Sequence, residues 1–323
     1  MAGQLWGTNT LGGFMYADEL SDVMRTEVRA SAKFRPLCDA QDFSDKGLNN
    51  GQLVTWNVYS KLQQSGTTLS EGTAIPQSNF LVKQGTATIT EWGIAVPFTS
   101  LVDLYSRQSV TAVTRNILAR DAREALDRGA QAQFNNCLLR YVGTGTAHAG
   151  VLTTNGTATA TNASALNKYH WRAIVNTMKE RNIPGFAADD YAVIGRPTTF
   201  EPIREQLEGV YQYTESGYQK ILKGEIGRYD TCRAIEQTNI LKGVNNSGTA
   251  WSSGHSDWAY FMGADTAAEI IAVPPEIRGK IPGDYGRDLG VAWYALEGFG
   301  IMYSATNDSG ATNSRIIKWD SAA

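Results

Sequence analysis

The most informative segment of this chain is residues 51–97, GQLVTWNVYSKLQQSGTTLSEGTAIPQSNFLVKQGTATITEWGIAVP. Near its start Val54, Trp56 and Val58 alternate with polar residues, which predicts a β-strand with two different faces. A return arm from Thr86 to Val96 alternates in the same way. The polar stretch between the arms has too few apolar side chains to build a core, and so long a connector is normally functional or disordered. We favour a hairpin that lies on an adjacent subunit over a mobile surface loop.

A proline-free stretch follows, from Leu101 to Val142, with apolar residues at helical spacing along one face. The opposite face is charged and holds Arg115, Arg120, Arg123, Glu124, Asp127 and Arg128. The pattern predicts one helix about 60 Å long, and Ser100 with Asp103 resembles a capping box at its start. An extension that cannot bury itself, joined to so long a helix, favours a protein that completes its fold against its neighbours.

Composition narrows the classes of function. The chain has 323 residues, 42% of them hydrophobic and 19% charged, which allows two domains or one large one. Its net charge of −3 leaves no basic excess, so a nucleic acid would be enclosed rather than gripped. The three cysteines, Cys38, Cys137 and Cys232, are odd in number and far apart, which predicts free thiols in a reducing cytoplasm. We find no signal peptide and no apolar run long enough to span a membrane.

Outside residues 51–142, the pattern predicts an arm, a crossing and an α/β portion. Met1–Gly13 is a polar, glycine-rich arm, and Tyr16–Lys33 fits an amphipathic helix that ends at Phe34–Leu37. Residues 143–164 consist mostly of Gly, Thr, Ala and Asn, which predicts a linker or loose hairpin. The helices predicted after it are Leu166–Asn182 and Thr199–Val210. The predicted strands are Tyr191–Gly195, Cys232–Glu236, Trp258–Gly263, Glu269–Val273, the pair Leu289–Glu297 and Phe299–Thr306, and Arg315–Trp319.

The sequence contains no complete motif for catalysis or metal binding. His148, His170 and His255 lack metal-ligand spacing with each other or with any cysteine pair. Residues 254–257, Gly-His-Ser-Asp, gather the residue types of a hydrolase triad. Side chains adjacent in sequence cannot form that relay, and the chain has no Gly-x-Ser-x-Gly elbow. We therefore expect no enzymatic activity and no cofactor.

Three segments carry a resemblance to a known family: Phe34–Leu37, Gly224–Tyr229 leading into Cys232–Glu236, and Asp288–Trp293. With the order of the parts, they resemble the major capsid proteins of tailed bacteriophages that have the Hong Kong 97-type fold, specifically the phage N4-type major capsid family. The resemblance spans nearly the whole chain. None of the three segments is diagnostic alone.

The resemblance implies an α+β fold of five parts. Residues 1–50 would be an N-terminal arm, and residues 51–97 an extended β-hairpin called the E-loop. Residues 98–164 would be a peripheral domain, with a spine helix at about 101–142 and the Gly/Thr-rich crossing. Residues 165–273 would be the axial domain, and residues 274–323 would be terminal strands that return to the peripheral domain.

The resemblance also implies a function. Such proteins assemble as hexamers and pentamers into an icosahedral shell that encloses double-stranded DNA without sequence-specific binding. The implied partners are many copies of the chain, a separate scaffolding protein, a portal protein at one vertex and, optionally, a decoration protein, with no membrane. The protein would assemble in the bacterial cytoplasm and end in the virion. The alternatives are an encapsulin-like compartment shell and a soluble α/β hydrolase whose hairpin acts as a lid.

If the hairpin contacts a neighbouring subunit, its apolar and charged side chains are the contact candidates. These are Trp56, Tyr59, Lys61, Leu69, Glu71, Ile75, Phe80 and Lys83. In some viral shells a loop lysine cross-links to a neighbour's asparagine, with a nearby carboxylate to deprotonate the amine, and Glu71 or Glu91 would serve Lys61 or Lys83. We favour the simpler interpretation that these lysines are solvated and discourage edge-to-edge pairing.

Overall fold

The structure is a computed structural model that describes residues 32–42, 51–145, 149–157, 164–186, 190–211, 227–240 and 258–320. Its helices are α1 (Ser100–Tyr105), α2 (Val110–Asn135), α3 (Lys168–Glu180) and α4 (Pro197–Tyr211). Its strands are β1 (Asp39–Asp42), β2 (Leu53–Tyr59), β3 (Val82–Thr88), β4 (Thr90–Thr99), β5 (Leu139–Gly143), β6 (Gly150–Thr153), β7 (Tyr191–Gly195), β8 (Arg228–Tyr229), β9 (Cys232–Glu236), β10 (Ala259–Met262), β11 (Ala267–Gly279), β12 (Asp288–Ile301) and β13 (Ile316–Trp319).

These elements form an α+β fold with three sheets. A four-stranded sheet has the order β1-β11-β12-β4, and a seven-stranded sheet has the order β6-β5-β13-β10-β7-β9-β8. The third sheet is the hairpin β2-β3. The predicted arm Met1–Gly13 and nearly all of the predicted helix Tyr16–Lys33 lie outside the described residues.

The prediction of one helix from Leu101 to Val142 is wrong at both ends. The chain breaks after α1, and α2 begins anew because the Ser109 hydroxyl oxygen caps it, accepting from the Ala112 N–H at 3.3 Å. The predicted capping box at Ser100 does not form, since Ser100 is the first residue of α1 and no side chain caps that helix. At the far end, Leu139–Gly143 is strand β5, which pairs with β13 and β6. Sheet pairing there overrides the helical periodicity, and α2 is about 39 Å long.

Helix α2 packs on both large sheets. Along its first half, Leu118 and Ala122 pack against Val291 and Trp293 of the four-stranded sheet. Its second half buries Leu126, Ala130 and Phe134 in a cluster with residues of β7, β10 and β13. Helices α3 and α4 cover the opposite face of the seven-stranded sheet, in a core built around Trp171, Phe200 and Phe261. Every residue of β7 is buried, as the continuous apolar run Tyr191–Gly195 predicts.

The strands of residues 267–306 differ from the prediction, whereas the predicted strand Arg315–Trp319 is confirmed as β13. Residues 289–306 do not form two paired strands, because Asp288–Ile301 is one strand held between β11 and β4. Strand β11 continues past the predicted end at Val273, with register shifts around Pro274 and Pro275, which cannot donate to the ladder. The segment 274–323 divides between the sheets, since β12 lies in the four-stranded sheet and β13 in the seven-stranded one. The division of the chain into five named parts stays a prediction.

Candidate inter-subunit surface

The extended hairpin comprises β2, β3 and the loop 60–81. The two strands pair antiparallel from Leu53 opposite Thr88 to Tyr59 opposite Val82. The return arm Thr86–Val96, predicted as one strand, is divided at Ile89: β3 pairs with β2, and β4 pairs with β12. The chain therefore passes from one sheet to another at Ile89. Strand β4 belongs to the four-stranded sheet, whereas β3 belongs to the separate two-stranded sheet that it forms with β2.

Trp56 anchors the root of the hairpin to its own subunit. Its indole N–H donates to the Met302 carbonyl at 3.1 Å, and its ring is half-buried. Two glycines of β12 make room for this root, as a Cβ at Gly300 would lie 2.6 Å from the Ala87 Cβ. A Cβ at Gly298 would lie 2.7 Å from the Thr88 carbonyl oxygen. The root is therefore rigidly seated, with Ala87 buried against β12.

Beyond the strands, the two sides of the loop, residues 60–64 and 78–81, run side by side and are joined by hydrogen bonds. The Ser60 N–H donates to the Leu81 carbonyl at 2.8 Å, and the Gln63 N–H donates to the Asn79 carbonyl at 3.1 Å. The Ser78 hydroxyl accepts from the Gln64 N–H at 2.9 Å. These hydrogen bonds prolong the hairpin beyond the last residue pair of its strands, Tyr59 opposite Val82.

The tip of the loop holds an open, mainly apolar groove of about 240 Å³. Its apolar lining comes from Leu62, Leu69, Ile75 and Pro76. Ile75 is 72% exposed and Leu69 is 58% exposed, so neither side chain is buried by its own chain. Apolar side chains concentrated in this way on a protruding loop are typical of a surface that another molecule covers.

Seven of the eight predicted contact residues are exposed, and the eighth is Trp56 at the root. The exposed set is Tyr59, Lys61, Leu69, Glu71, Ile75, Phe80 and Lys83. Tyr59 and Phe80 form a tilted aromatic pair with ring centroids 6.3 Å apart. This pair joins the two sides of the hairpin where the strands pass into the loop. Leu62, Leu81 and Val82 extend this apolar surface, and sequence reasoning missed them. Their exposure follows from the hairpin geometry rather than from a motif. The role of all these residues in subunit contact stays a prediction.

A second exposed apolar patch lies at the other end of β4. It comprises Leu101, Leu104 and Tyr105 of α1 with Ile281 and Tyr285 of the turn between β11 and β12. The Ser100 N–H donates to the Arg287 carbonyl at 3.0 Å, which brings helix and turn together. Leu104 is 81% exposed and Ile281 is 88% exposed. The subunit thus presents exposed apolar side chains at two separate places.

The segment that follows Lys33 is fixed deep in the subunit. Phe34 is fully buried, with ring centroids 5.5 Å from Phe134 and 5.7 Å from Tyr260. The Asp127 carboxylate accepts from the backbone N–H groups of Phe34 at 2.8 Å and Arg35 at 3.1 Å. Asp127 was expected on the charged outer face of α2, which is wrong: it is fully buried and holds this segment.

Arg35 joins two buried carboxylates. Its guanidinium pairs with Glu269 of β11 and, at 3.0 Å, with Glu297 of β12. Burial raises the pKa of Glu297 to about 7, Arg35 opposes this rise, and the Glu269 carboxylate adds to it. Sequence reasoning missed this cluster, although a glutamate within the apolar run Ala295–Phe299 was the available signal.

The described residues show no metal site and no membrane-spanning helix. Among them, no group of three or more His, Cys, Asp or Glu side chains could hold a metal ion, and no helix is long and apolar enough to cross a membrane. His170 is buried beside Trp319, while His148, His255 and residues 254–257 lie outside the described part. The three cysteines are free thiols, as predicted.

Similarity to known proteins is found in the comparison of structures and not in the comparisons of sequence. No protein-family model matches the chain, and no curated protein matches it significantly in sequence. The capsid of cyanophage P-SCSP1u is similar over 99% of this chain and 97% of its own, with a TM-score of 0.69 and 11% identity. The head of Helicobacter pylori bacteriophage KHP40 is similar over 94% and 95% of the two chains, with a TM-score of 0.69 and 13% identity. The capsid of cyanophage Pam1 is similar over 95% and 96%, with a TM-score of 0.68 and 14% identity. The chain therefore has the fold of these phage capsid chains.

Proposed function

We propose that this chain is the major capsid protein of a tailed, double-stranded DNA bacteriophage, with the Hong Kong 97-type fold. The observation that carries the proposal is the similarity to phage capsid subunits over 94–99% of this chain, hairpin included. An enzyme domain with an added lid would match such subunits over only part of its length. The fold itself permits other functions, so the hairpin and its exposed apolar surface have to be considered independently.

The exposed surface supports an assembly function. A two-stranded hairpin is marginally stable alone, and this one keeps Leu69, Ile75 and Phe80 in water unless another molecule covers them. In the proposed shell, residues 60–81 lie over the next subunit, and the contact is repeated around each hexamer and pentamer. Because every subunit both gives and receives a loop, many modest contacts add up to a stable shell.

The proposed partners follow from that role. They are many copies of this chain, a separate scaffolding protein during assembly, a portal protein at one vertex and, optionally, a decoration protein. The shell forms in the bacterial cytoplasm and encloses the genome. No part of this function calls for a cofactor.

Electron microscopy of the purified protein, with light scattering, tests the proposal. We expect closed shells, rings of five or six subunits, or curved sheets, and nuclease-protected DNA inside particles recovered from infected cells. A stable monomer or dimer at all concentrations would contradict the proposal. Shells that contain a cargo enzyme in place of DNA would favour the encapsulin-like alternative.

A further inference from the structure

We infer that the arginines on the outer face of α2 form a contact surface for the phosphate backbone of double-stranded DNA. The inference rests on the proposed function and names the side chains of this chain that contact the enclosed genome. The chain's net charge of −3 gives no hint of such a surface, because the charge is unevenly distributed.

The outer face of α2 carries a concentration of positive charge. Arg115, Arg120, Arg123 and Arg128 are all exposed along it, over about 20 Å of helix axis. Glu124 is half-buried and pairs with Arg128. Arg115 and Arg123 form no ion pair with any residue that the structure describes. This arginine band is therefore able to meet phosphates spaced along a duplex.

The opposite side of the same layer has the other sign of charge. Trp293 of β12 points toward α2, where its indole N–H donates to Asp121 at 2.9 Å. Its neighbour Tyr294 points away, since successive strand residues face opposite sides. On that far side the Tyr294 hydroxyl donates to Glu91 at 3.3 Å, and Arg278, which pairs with Glu276, lies 3.9 Å from the Tyr294 ring centroid. The layer thus has a basic helix side and a mildly acidic sheet side.

The composition of the band favours a nucleic acid over an acidic protein. Protein interfaces usually depend on apolar or aromatic anchors that fill pockets. Within α2, all of which the structure describes, Ile117 is the one large apolar residue that is exposed. Arginine side chains without such anchors are typical of contacts to phosphate that do not depend on sequence. Weak contacts of this kind keep the genome near the wall without holding it tightly.

The test measures binding of a fluorescent DNA duplex of about 20 base pairs to the unassembled full-length subunit, at about 50 and 200 mM salt. We expect the double variant Arg115→Gln with Arg123→Gln to bind about tenfold or more weakly at the lower salt. The slope of log affinity against log salt should become shallower by about 1.8, since each phosphate contact contributes about 0.9. The control Arg278→Gln removes an arginine from the far side and should change neither value.

Unchanged affinity and slope in the double variant, or no binding by the wild-type subunit at the lower salt, would overturn the inference. Equal displacement of the duplex by poly-L-glutamate of the same charge would also overturn it and favour an acidic protein partner. Electron microscopy of the same variants separates this result from the proposed function. Shell formation without band-dependent DNA binding refutes the inference alone, whereas absence of shells in the wild type refutes the function.

Discussion

The buried carboxylate of Glu297 makes the stability of the subunit dependent on pH. It lies between Glu269 and Arg35 and is fully buried, at the point where the segment 34–37 meets β11 and β12. Loss of its proton leaves two carboxylates to share one guanidinium. The cluster therefore makes the attachment of this segment sensitive to pH.

Because the pKa of Glu297 is raised from 4.5 to about 7, the folded subunit binds this proton more tightly than the unfolded chain does. The stabilisation is complete below about pH 4.5 and is lost as pH rises toward 7. We predict that the free energy of unfolding falls over this range in the wild type, and that Glu297→Gln removes that part of the decrease. Urea unfolding of unassembled subunits at about pH 5 and 8 measures the difference.

Glu276→Gln is the matched control, since Glu276 is an exposed acid on the far side of the same sheet. It should keep the pH dependence of the wild type. Equal pH dependence in Glu297→Gln and the wild type would show that Glu297 does not titrate in this range.

Some residues could not be placed correctly from the sequence, because their partners are distant along the chain. The Asp127 side chain belongs by periodicity to the charged face of α2, yet it is buried because Phe34 and Arg35 offer it two backbone donors. Those donors are 93 and 92 residues away in sequence, and no local pattern reveals such a partner. Tyr59 and Phe80 could be predicted as contact candidates, because alternation and loop composition are local properties.

Among the secondary-structure elements, the close packing of β3 against β12 holds the root of the hairpin in place. Gly298→Ala would place a Cβ 2.7 Å from the Thr88 carbonyl oxygen, and backbone cannot move aside as a flexible side chain can. We expect a loss of about 1–3 kcal/mol in the free energy of unfolding, the usual cost of overpacking. Urea unfolding of the unassembled subunit measures it.

Gly279→Ala provides the control at the other end of this sheet. A Cβ there meets nothing within 4 Å, so the change should stay within about 0.5 kcal/mol of the wild type. A Gly298→Ala variant as stable as Gly279→Ala would mean that the hairpin root is not tightly seated on β12.

The elements also explain which predictions succeeded. Tyr191–Gly195 and Cys232–Glu236 were predicted correctly as strands, since short apolar or alternating runs between turn residues carry a strong local signal. The end of the long helix was missed because Leu139–Gly143 fits a helix and a strand about equally well. Its pairing with β13, distant in sequence, decides the outcome.

In the whole molecule, different sides of the subunit have different proposed partners. The hairpin and its loop are proposed to reach the neighbouring subunit, while the arginine band of α2 is proposed to face the genome. The α+β fold was predictable from the family resemblance, which rests on three short segments and the order of the parts along the chain. The contacts between subunits were not predictable, because they depend on surfaces that a single chain leaves exposed.

The yield of closed particles after deletion of residues 66–78 tests whether the loop 60–81 joins neighbouring subunits. The Gln63 N–H already donates to the Asn79 carbonyl, so the deletion leaves a short turn and an intact root. We predict that the deleted subunit unfolds in urea as cooperatively as the wild type does, yet forms no closed shells by electron microscopy. Closed shells of normal size and yield from the deleted chain would contradict the claim that this loop holds neighbouring subunits together.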